Sequence, residues 1–388
     1  MCADRMGSVT SSSRSSTSTM PDSSAETAST LNVIISILGQ LPRGVAHIIC
    51  GYAVRRASPI LYHFGGNVVG NECVTALFLD TSNRTRAPIW QTLPDMPTPR
   101  SWCSAASIEH RVFVTGNTYA SNNVDCYDTS TRTWSNFAPL NKLRHSHVIV
   151  SCDNVLYVLG GIAPPLTTID TRVSSWVSGE MFDIQNNDGW REIPMMHRQR
   201  NAFCAAAYDG RIFIMGGVDA TGRSLSTCER FDPSTRKWTL LSNMHIGRAF
   251  SKCVLIPSTR TVGECMIAVM GGAGPGYSPF APLMCVEVYD VVADKWCQAS
   301  WSLPTPILHF SAFWVDACEG RNSSDYETGG VLIGGGCPSD RAAHRNVYML
   351  CSKQMGVLIC DGCPSVHRSV NVLCSERIWR SLPPLPIP

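Results

Sequence analysis

The sequence predicts an all-β fold, and three recurring features carry this prediction. Short apolar runs rich in Val, Ile, Tyr and Phe end in glycine, as in residues 60–66 and 211–217. Other short runs end in an aromatic and an acidic residue, as in residues 124–128 and 286–290. A tryptophan follows each run of the second kind. Runs of this length and composition are typical of strands, and the helical period is absent from residue 60 onward.

A fixed spacing links the tryptophans to a set of arginines. Four times an arginine follows a tryptophan by ten residues, and in the first three cases a strand-ending glycine stands sixteen residues further on. The four pairs are Trp90 and Arg100, Trp134 and Arg144, Trp190 and Arg200, and Trp238 and Arg248. Such a spacing indicates an internal repeat, and a repeat determines the fold before any single residue does.

Each repeat contains four predicted strands. They are the run after the arginine, the glycine run, the aromatic-acidic run and the run that starts at the tryptophan. Segments such as residues 232–238 are rich in turn-forming residues and separate the last two strands. A single sheet of this kind cannot bury both faces, but sheets stacked radially can. Six tryptophans mark six repeats, and therefore predict a six-bladed β-propeller with four antiparallel strands per blade: Trp90, Trp134, Trp190, Trp238, Trp296 and Trp379.

The glycine pair, the aromatic-acidic run and the spaced tryptophan resemble the kelch motif, over roughly residues 43–388. The resemblance is to the propeller of the BTB–kelch substrate adaptors, without a BTB domain, for which too few residues precede the propeller. It implies a non-enzymatic protein-interaction module, with a role as a ubiquitin-ligase substrate adaptor bound to a ligase scaffold as a further expectation.

The N-terminal region divides into two predicted segments. Residues 1–30 are dominated by Ser, Thr and Ala, which predicts a disordered tail because they cannot bury enough apolar surface. Residues 31–42 are expected to form a short connecting segment. A helix over residues 31–56, similar to part of an F-box, is the alternative, since short apolar runs do not separate helix from strand by periodicity.

The predicted propeller closes where the two ends of the chain meet. The chain ends just before the arginine that would follow Trp379, and Arg43 supplies it from the N-terminal side. Residues 44–50 are then the first strand of the first blade, with no strand exchanged between blades. In the sixth blade, residues 369–374 are the weak aromatic-acidic run, and residues 336–368 are a large insertion.

Composition argues against several classes of partner and location. The net charge is +2 and 16% of residues are charged, which gives no reason to expect binding to nucleic acid or to a membrane surface. The first apolar stretch starts too late for an export signal, so we expect a cytoplasmic protein. The 18 cysteines are then expected to be buried free thiols.

The arginine register provides the sharpest candidate site. At the start of each first strand, these arginines are predicted to circle one mouth of the propeller, with His145 and Asn201 close by. Planar guanidiniums bind carboxylates through paired hydrogen bonds, and the resemblance to BTB–kelch adaptors implies that they clamp acidic peptide segments. The alternative is a framework role between blades. The predicted ring consists of Arg43, Arg100, Arg144, Arg200 and Arg248.

Two long loops after the glycine runs are the second candidate. Residues 162–179 and 273–284 contain Trp176, Tyr277 and Phe280. Long loops on a rigid scaffold commonly carry binding function, and aromatic residues are frequent interface anchors. The alternative for these aromatic residues is packing over the edge of a neighbouring blade.

The other repeated residues are expected to be structural. The tryptophans should pack between blades, where large aromatic residues bury most surface. The acidic residues that end the aromatic-acidic runs should bond turn backbone; they are Asp128, Asp183, Asp232 and Asp290.

No cofactor is expected, although one group of cysteines has metal-type spacing. Cys360 and Cys363 are spaced as in zinc sites, and Cys337 and Cys351 could complete four ligands. Unligated thiols are the favoured interpretation.

An enzyme is the alternative function, because some kelch-like propellers are sialic-acid mutarotases or copper oxidases. The only histidine pair with suggestive spacing is His145 and His147, which strand alternation would place on one face.

Overall fold

A computed structural model of the chain shows antiparallel sheets arranged as blades around one axis. It describes residues 90–100, 103–117, 121–163, 177–257, 265–275, 281–303, 305–308 and 310–315, together with the strands named below that lie outside these ranges. Within this part of the chain the secondary structure is entirely β, which confirms the predicted fold class.

The first blade has more strands than predicted. Its sheet runs β1 (Asn32–Ser36), β2 (Cys50–Arg55), β3 (Ser58–Phe64), β6 (Ala76–Asp80) and β7 (Trp90–Thr92), and the small hairpin of β4 (Asn67–Val68) and β5 (Asn71–Glu72) lies between β3 and β6 in the chain. The strand that pairs with the glycine strand β3 is β2, which begins at Cys50, where the predicted first strand ends, and residues 44–49 lie outside the described residues. Residues 32–36 form an additional strand, so the helical alternative fails for both strands.

Blades 2 to 5 each have the four strands that the repeat predicts. Blade 2 contains β8 (Ser104–Ile108), β9 (Arg111–Thr115), β10 (Val124–Asp128) and β11 (Thr133–Phe137). Blade 3 contains β12 (Val148–Cys152), β13 (Val155–Leu159), β14 (Gly179–Asp183) and β15 (Arg191–Ile193). Blade 4 contains β16 (Cys204–Tyr208), β17 (Arg211–Met215), β18 (Cys228–Asp232) and β19 (Lys237–Leu241). Blade 5 contains β20 (Lys252–Pro257), β21 (Cys265–Met270), β22 (Cys285–Asp290) and β23 (Lys295–Ser302).

The sixth blade differs from the prediction in its third strand. Its sheet contains β24 (Ser311–Val315), β25 (Gly330–Gly334) and β26 (Val347–Cys351). The third strand thus lies inside the predicted insertion, because the run at 347–351 is rich in β-forming residues although it lacks the acidic ending. Residues 369–374 do not supply it: β28 (Asn371–Val372) pairs instead with β27 (Leu358–Ile359).

The innermost strands close the ring. In chain order β1, β8, β12, β16, β20 and β24 contact one another, and β24 also contacts β1. Six blades therefore surround the axis, as predicted. The extra strand β1 is the innermost strand of the first blade. It pairs with β2 at the edge of the sheet, and it contacts the innermost strands β8 and β24 of the two neighbouring blades.

The core lies between neighbouring blades rather than at the axis. Phe113 of blade 2 and Val158 and Phe182 of blade 3 belong to one buried cluster. Each glycine strand in blades 2 to 5 is buried along most of its length, whereas the outer strands β11 and β19 are largely exposed. A strand that is buried on both faces needs a nearly continuous apolar run, and this explains why the glycine runs lack strand alternation.

The tryptophans join each blade to the blade before it, as the sequence predicts. In blades 2 to 5 the indole Nε1 donates a hydrogen bond of 2.8 Å to a carbonyl of the preceding blade's last connection. The acceptors, in order, are the carbonyls of Pro94, Ala138, Pro194 and Ser242. Each indole also contacts the aromatic ring of its own aromatic-acidic run; Phe231 and Trp238, for example, have ring centroids 5.0 Å apart.

Trp238→Phe should weaken the contact between blades 3 and 4. Phenylalanine keeps the packing on Phe231 but leaves the carbonyl of Pro194 without its donor. We expect a loss of about 1 kcal/mol in the free energy of unfolding, the usual net value of one such hydrogen bond. Urea unfolding of the wild type and the variant measures this difference, and an unchanged midpoint would contradict the role given to the indole N–H.

Candidate functional site

The predicted arginine ring is built from buried residues. Arg100, Arg144, Arg200 and Arg248 each have 0% of their surface exposed. In every case Nη2 donates to a carboxylate of the same blade, at 2.7–2.8 Å, and the acceptors are Asp125, Glu180, Glu229 and Glu287. These guanidiniums are therefore already occupied by the protein's own carboxylates.

The spacing of sixteen residues follows from a second hydrogen bond. Nη1 of Arg200 donates to the carbonyl of Gly216 at 2.7 Å, and Arg100 and Arg144 bond Gly116 and Gly160 in the same way. Arg248 instead reaches Gly271 because the hairpin between β20 and β21 is longer. The spacing of sixteen residues thus reflects a hydrogen bond from the arginine that precedes the first strand to the glycine carbonyl at the end of the second strand.

The carboxylates that bind these arginines were not identified from the sequence, although a signal for them exists. Each stands three residues before the acidic residue that ends the run, as Glu229 stands before Asp232. The terminal acids behave as predicted. Asp232 Oδ1 accepts from the backbone N–H of Ser234 and Thr235, and the same turn bonding occurs at Asp128, Asp183 and Asp290. The inner acid is the structural partner, and the outer acid shapes the turn.

The glutamates also hold the connection that enters each blade. Glu229 Oε2 accepts from the backbone N–H of His197 at 2.8 Å, and Glu287 accepts from His245 in the same way at 2.7 Å. Burial alone would raise the pKa of Glu287, but these donors and the Arg248 guanidinium hold that pKa below its ordinary value. A carboxylate that is buried, ionised and fully hydrogen-bonded fixes the backbone around it.

This geometry corrects the expected role of the four described arginines. A fully buried side chain cannot contact a partner's carboxylate, so Arg100, Arg144, Arg200 and Arg248 belong to the framework between strands. Arg43 lies outside the described residues. The burial and the ion pairs of these arginines fit the alternative interpretation, a framework role.

The two polar residues predicted beside the arginines are also engaged by the fold. Asn201 is 6% exposed, and its backbone pairs with Val218. His145 is half-buried, its backbone pairs with Ile162, and burial lowers the pKa of its imidazole. A role for either residue in binding a partner stays a prediction.

The two histidines of the pair do not lie side by side on one extended strand. Ser146 has a φ of 52°, so the chain between the two histidines is not an extended strand. His147 is buried, and its Nε2 lies 2.6 Å from Oγ1 of Thr115 in blade 2, whereas His145 Nδ1 contacts Ser146. The prediction that His145 and His147 share one face is wrong, because the left-handed residue between them breaks the alternation.

The segment just before each buried arginine contains residues that are exposed to solvent. Both ends of this segment are buried, at Met196 and Arg200 in blade 4, and the residues between them include exposed His197 and Arg198. The preceding Met195 has 66% of its surface exposed. The same pattern of buried ends occurs at residues 140–144 and 244–248.

These segments share one face of the propeller with the loops that follow the glycine pairs. The backbone N–H of Met196 bonds the carbonyl of Val177, and that of Met244 bonds Ser226, each at the end of such a loop. We call this surface the loop face, defined by residues 139–143, 195–199, 219–223 and 243–247. Its exposed residues are held in place by buried residues at both ends of each entering segment, such as Met196 and Arg200.

Exposed cations on the loop face flank the fourth blade. Arg198 lies in the entering segment, and Arg223 lies in the loop between β17 and β18. Asp219 shapes that loop by accepting hydrogen bonds from the backbone of Thr221 and Arg223. Partial burial opposes ionisation of Asp219, yet these bonds hold its pKa below the ordinary value. Arg198 and Arg223 stand outside the tryptophan register, so the spacing of the repeat does not mark them.

Several predicted site residues lie outside the described part of the chain. These are Trp176, Tyr277 and Phe280 of the long loops and, for their side chains, the proposed zinc ligands Cys337, Cys351, Cys360 and Cys363. Among the described residues, no group of three or more His, Cys, Asp or Glu side chains is placed to hold a metal ion. No helix in this same part of the chain has the length and hydropathy to cross a membrane.

The chain resembles known proteins in sequence and in fold. A family model described as Kelch motif matches residues 199–245, which span most of blade 4. Kelch-like protein 41a of Danio rerio is 31% identical over 162 residues, which cover 40% of this chain and 25% of that protein. Alpha-scruin of Limulus polyphemus is 24% identical over 226 residues, covering 54% of this chain and 23% of that protein.

A longer but weaker match is Kelch-like protein 35 of Mus musculus, 23% identical over 233 residues, with 60% of this chain and 36% of that protein covered. The matched segments are thus well under half of these relatives' own length. Among solved structures, that of YjhT superposes with a TM-score of 0.61 at 15% identity, covering 83% of this chain and 99% of the other, and this likeness concerns the fold alone. The chain therefore contains a kelch motif at residues 199–245, is similar in sequence to kelch-like proteins over part of their length, and folds as a six-bladed β-propeller.

Proposed function

We propose that this protein is a non-enzymatic interaction module that binds a protein partner on its loop face. The observation that carries the proposal is the exposure of His197 and Arg198 between buried Met196 and the buried, ion-paired Arg200. Such a segment is held in one conformation before binding, and this reduces the entropy lost on association. Similarity to several kelch-like proteins supports the same class of function.

The charges on the loop face favour an acidic, extended segment as the ligand. Arg198 and Arg223 are exposed on either side of the entrance to blade 4, whereas Lys142 pairs with Glu192. Asp219, the acidic residue of the loop that carries Arg223, is engaged within its own turn. Two exposed cations suit a partner that offers Asp or Glu side chains.

Selection of peptides on the immobilised protein tests this proposal. We expect random peptides displayed on phage to be enriched in Asp and Glu, and a selected peptide to lose binding when its acidic residues become Asn and Gln. Arg198→Glu combined with Arg223→Glu should weaken that peptide at least tenfold, about 1.4 kcal/mol, since both changes replace attraction by repulsion.

The matched control is Arg132→Ala. Arg132 is also exposed, but it lies in the turn between β10 and β11, away from the loop face. It should leave peptide affinity unchanged. Equal loss in this variant, or selected peptides without acidic residues, would count against the acidic-segment proposal.

A cytoplasmic role as a substrate adaptor is the finer form of the proposal. It requires that the same protein also bind a ubiquitin-ligase scaffold through a surface other than the loop face. Co-purification of a scaffold with both the wild type and the Arg198→Glu, Arg223→Glu variant, alongside loss of the acidic partner from the variant alone, is the expected result.

A further inference from the structure

A cluster of nucleophilic and cationic side chains lies between blades 4 and 5, apart from the loop face. Cys204 is the first residue of β16, and Lys252 and Cys253 are the first residues of β20. Cys204 is 4% exposed, whereas Lys252 and Cys253 are half-buried. All the residues of this cluster are on the innermost strands or directly before them.

Hydrogen bonds converge on the sulfur of Cys204. Ser251 Oγ donates to Cys204 Sγ at 3.7 Å, and Cys253 packs against the same buried cluster as Cys204. The protonated Cys204 thiol in turn donates to the carbonyl of Met215 at 3.7 Å. Ser251 and Cys253 of blade 5 thus lie next to Cys204 of blade 4, and a donor to its sulfur favours the ionised form.

The charge of Lys252 acts on the same sulfur. Burial lowers the pKa of the Lys252 amine to about 8, and its interactions with the thiols of Cys204, Cys253 and Cys103 oppose that shift. The amine is therefore mostly an ammonium at neutral pH. A neighbouring ammonium favours the thiolate, which is the reactive form of cysteine.

The pKa values of Cys204 and Cys253 shift in opposite directions because each thiol affects the other. Burial would raise the pKa of Cys204, but the hydrogen bonds from Cys253 and Ser251 and the charge of Lys252 lower it. The pKa of Cys253 is raised well above its usual value, chiefly by its bond to Cys204 and then by burial. Of the two thiols, Cys204 is thus the one whose ionisation its surroundings favour.

Other buried cysteines show the opposite behaviour. Burial raises the pKa of Cys126 and Cys152 to about 11 and that of Cys228 to about 12. These thiols have the environment of ordinary core residues, which are unreactive. The cluster around Lys252 is thus distinct from the general use of cysteine in this chain.

We propose that Cys204 and Cys253 form an oxidation site for hydrogen peroxide, in which a disulfide joins blades 4 and 5. The thiolate of Cys204 attacks one peroxide oxygen, the O–O bond breaks, and hydroxide leaves and takes a proton from Lys252 to form water. Cys253 then loses its proton to the Lys252 amine and attacks the sulfenic sulfur of Cys204. The S–O bond breaks, and the leaving hydroxide takes a proton from the Lys252 ammonium to form a second water, so one thiolate and one thiol become a disulfide and one peroxide is reduced.

Oxidation of the full chain under limiting hydrogen peroxide tests the proposal. Peptide mapping without reductant should identify a linked pair of peptides containing Cys204 and Cys253, formed before modification of Cys297. Cys297 is the exposed cysteine among the described free thiols, so a reaction governed by exposure alone would modify it first. That order of modification, or the lack of the linked pair, would overturn the proposal.

Three variants separate the steps. Cys204→Ser should abolish peroxide consumption at this site, and Cys253→Ser should leave a sulfenic acid on Cys204 that dimedone traps. Lys252→Met should slow formation of the linked pair about tenfold, because the thiolate loses its nearest cation. Cys297→Ser is the control and should leave the rate unchanged. A rate that is the same in Lys252→Met and the wild type would refute the role of the amine.

Discussion

Replacing Arg200 by methionine should lower the free energy of unfolding by about 3–5 kcal/mol, although Arg200 belongs to a set that the sequence offers as a binding ring. The change leaves the carboxylate of Glu229 buried without its cation and removes the donors to the carbonyls of Gly216 and Thr227. An unpaired charge of this kind is among the most destabilising defects in a protein interior. Urea unfolding followed by tryptophan fluorescence measures the shift in midpoint.

The control for this experiment is two residues away in the chain. Arg198→Ala removes an exposed arginine of the same segment, and we expect a change within about 0.5 kcal/mol, typical of surface positions. We expect Arg198→Ala to weaken binding of the partner without changing stability, whereas Arg200→Met should lower stability. An Arg200→Met protein with wild-type stability that fails to bind a partner would contradict the framework role.

A double variant checks that the ion pair itself is responsible. Combining Arg200→Met with Glu229→Gln removes both charges and retains an oxygen that can accept from the backbone of His197. We expect the double variant to be more stable than the sum of the single losses predicts, by about 1–3 kcal/mol, since residues in one network are coupled. Strict additivity would show that the two side chains act independently.

Gly217→Ala is the second change with a large expected effect, about 2–4 kcal/mol. Gly217 has a φ of +100°, and a Cβ there would lie 2.6 Å from the carbonyl oxygen of Asn201 and 2.9 Å from Cβ of Phe203. Alanine therefore adds a clash between backbone atoms to the cost of a left-handed conformation. The loss is again measured as the shift in the urea midpoint.

Gly222→Ala separates the two causes. Gly222 also has a positive φ, of +80°, but no atom lies within 4 Å of the position of its Cβ. We expect a loss of about 1 kcal/mol from conformation alone. If the two glycine variants are equally destabilised, close approach to Asn201 and Phe203 is not the reason that position 217 requires glycine.

The repeat allowed the architecture to be predicted, but the first and last blades show where the prediction stops. Blades 2 to 5 follow the register, because each arginine, glycine and tryptophan makes the same bonds in every blade. In the sixth blade, β26 lacks the acidic ending of the repeat and was missed. In the first blade, β1 adds a strand that no repeat unit contains.

The candidate site was also predicted only in part from the sequence, for a different reason. The spacing marked Arg200 as a repeated residue but did not show what its side chain binds. A guanidinium can bind a carboxylate of a partner or one of the protein's own carboxylates equally well. Its partner Glu229 comes from another strand, 29 residues later. Arg198, which the structure exposes, carries no mark in the sequence to distinguish it from Arg200.

The sequence by itself determined the all-β class, the number of blades and the residues that repeat, because periodic spacing is a property of the chain alone. Only the tertiary structure decided which repeated residues are buried and which neighbours reach the surface. Burial and pairing depend on distances between strands that are far apart in sequence, as for Arg200 with Glu229 and Cys204 with Cys253. The loop face and the thiol pair therefore became visible only once the blades were placed side by side.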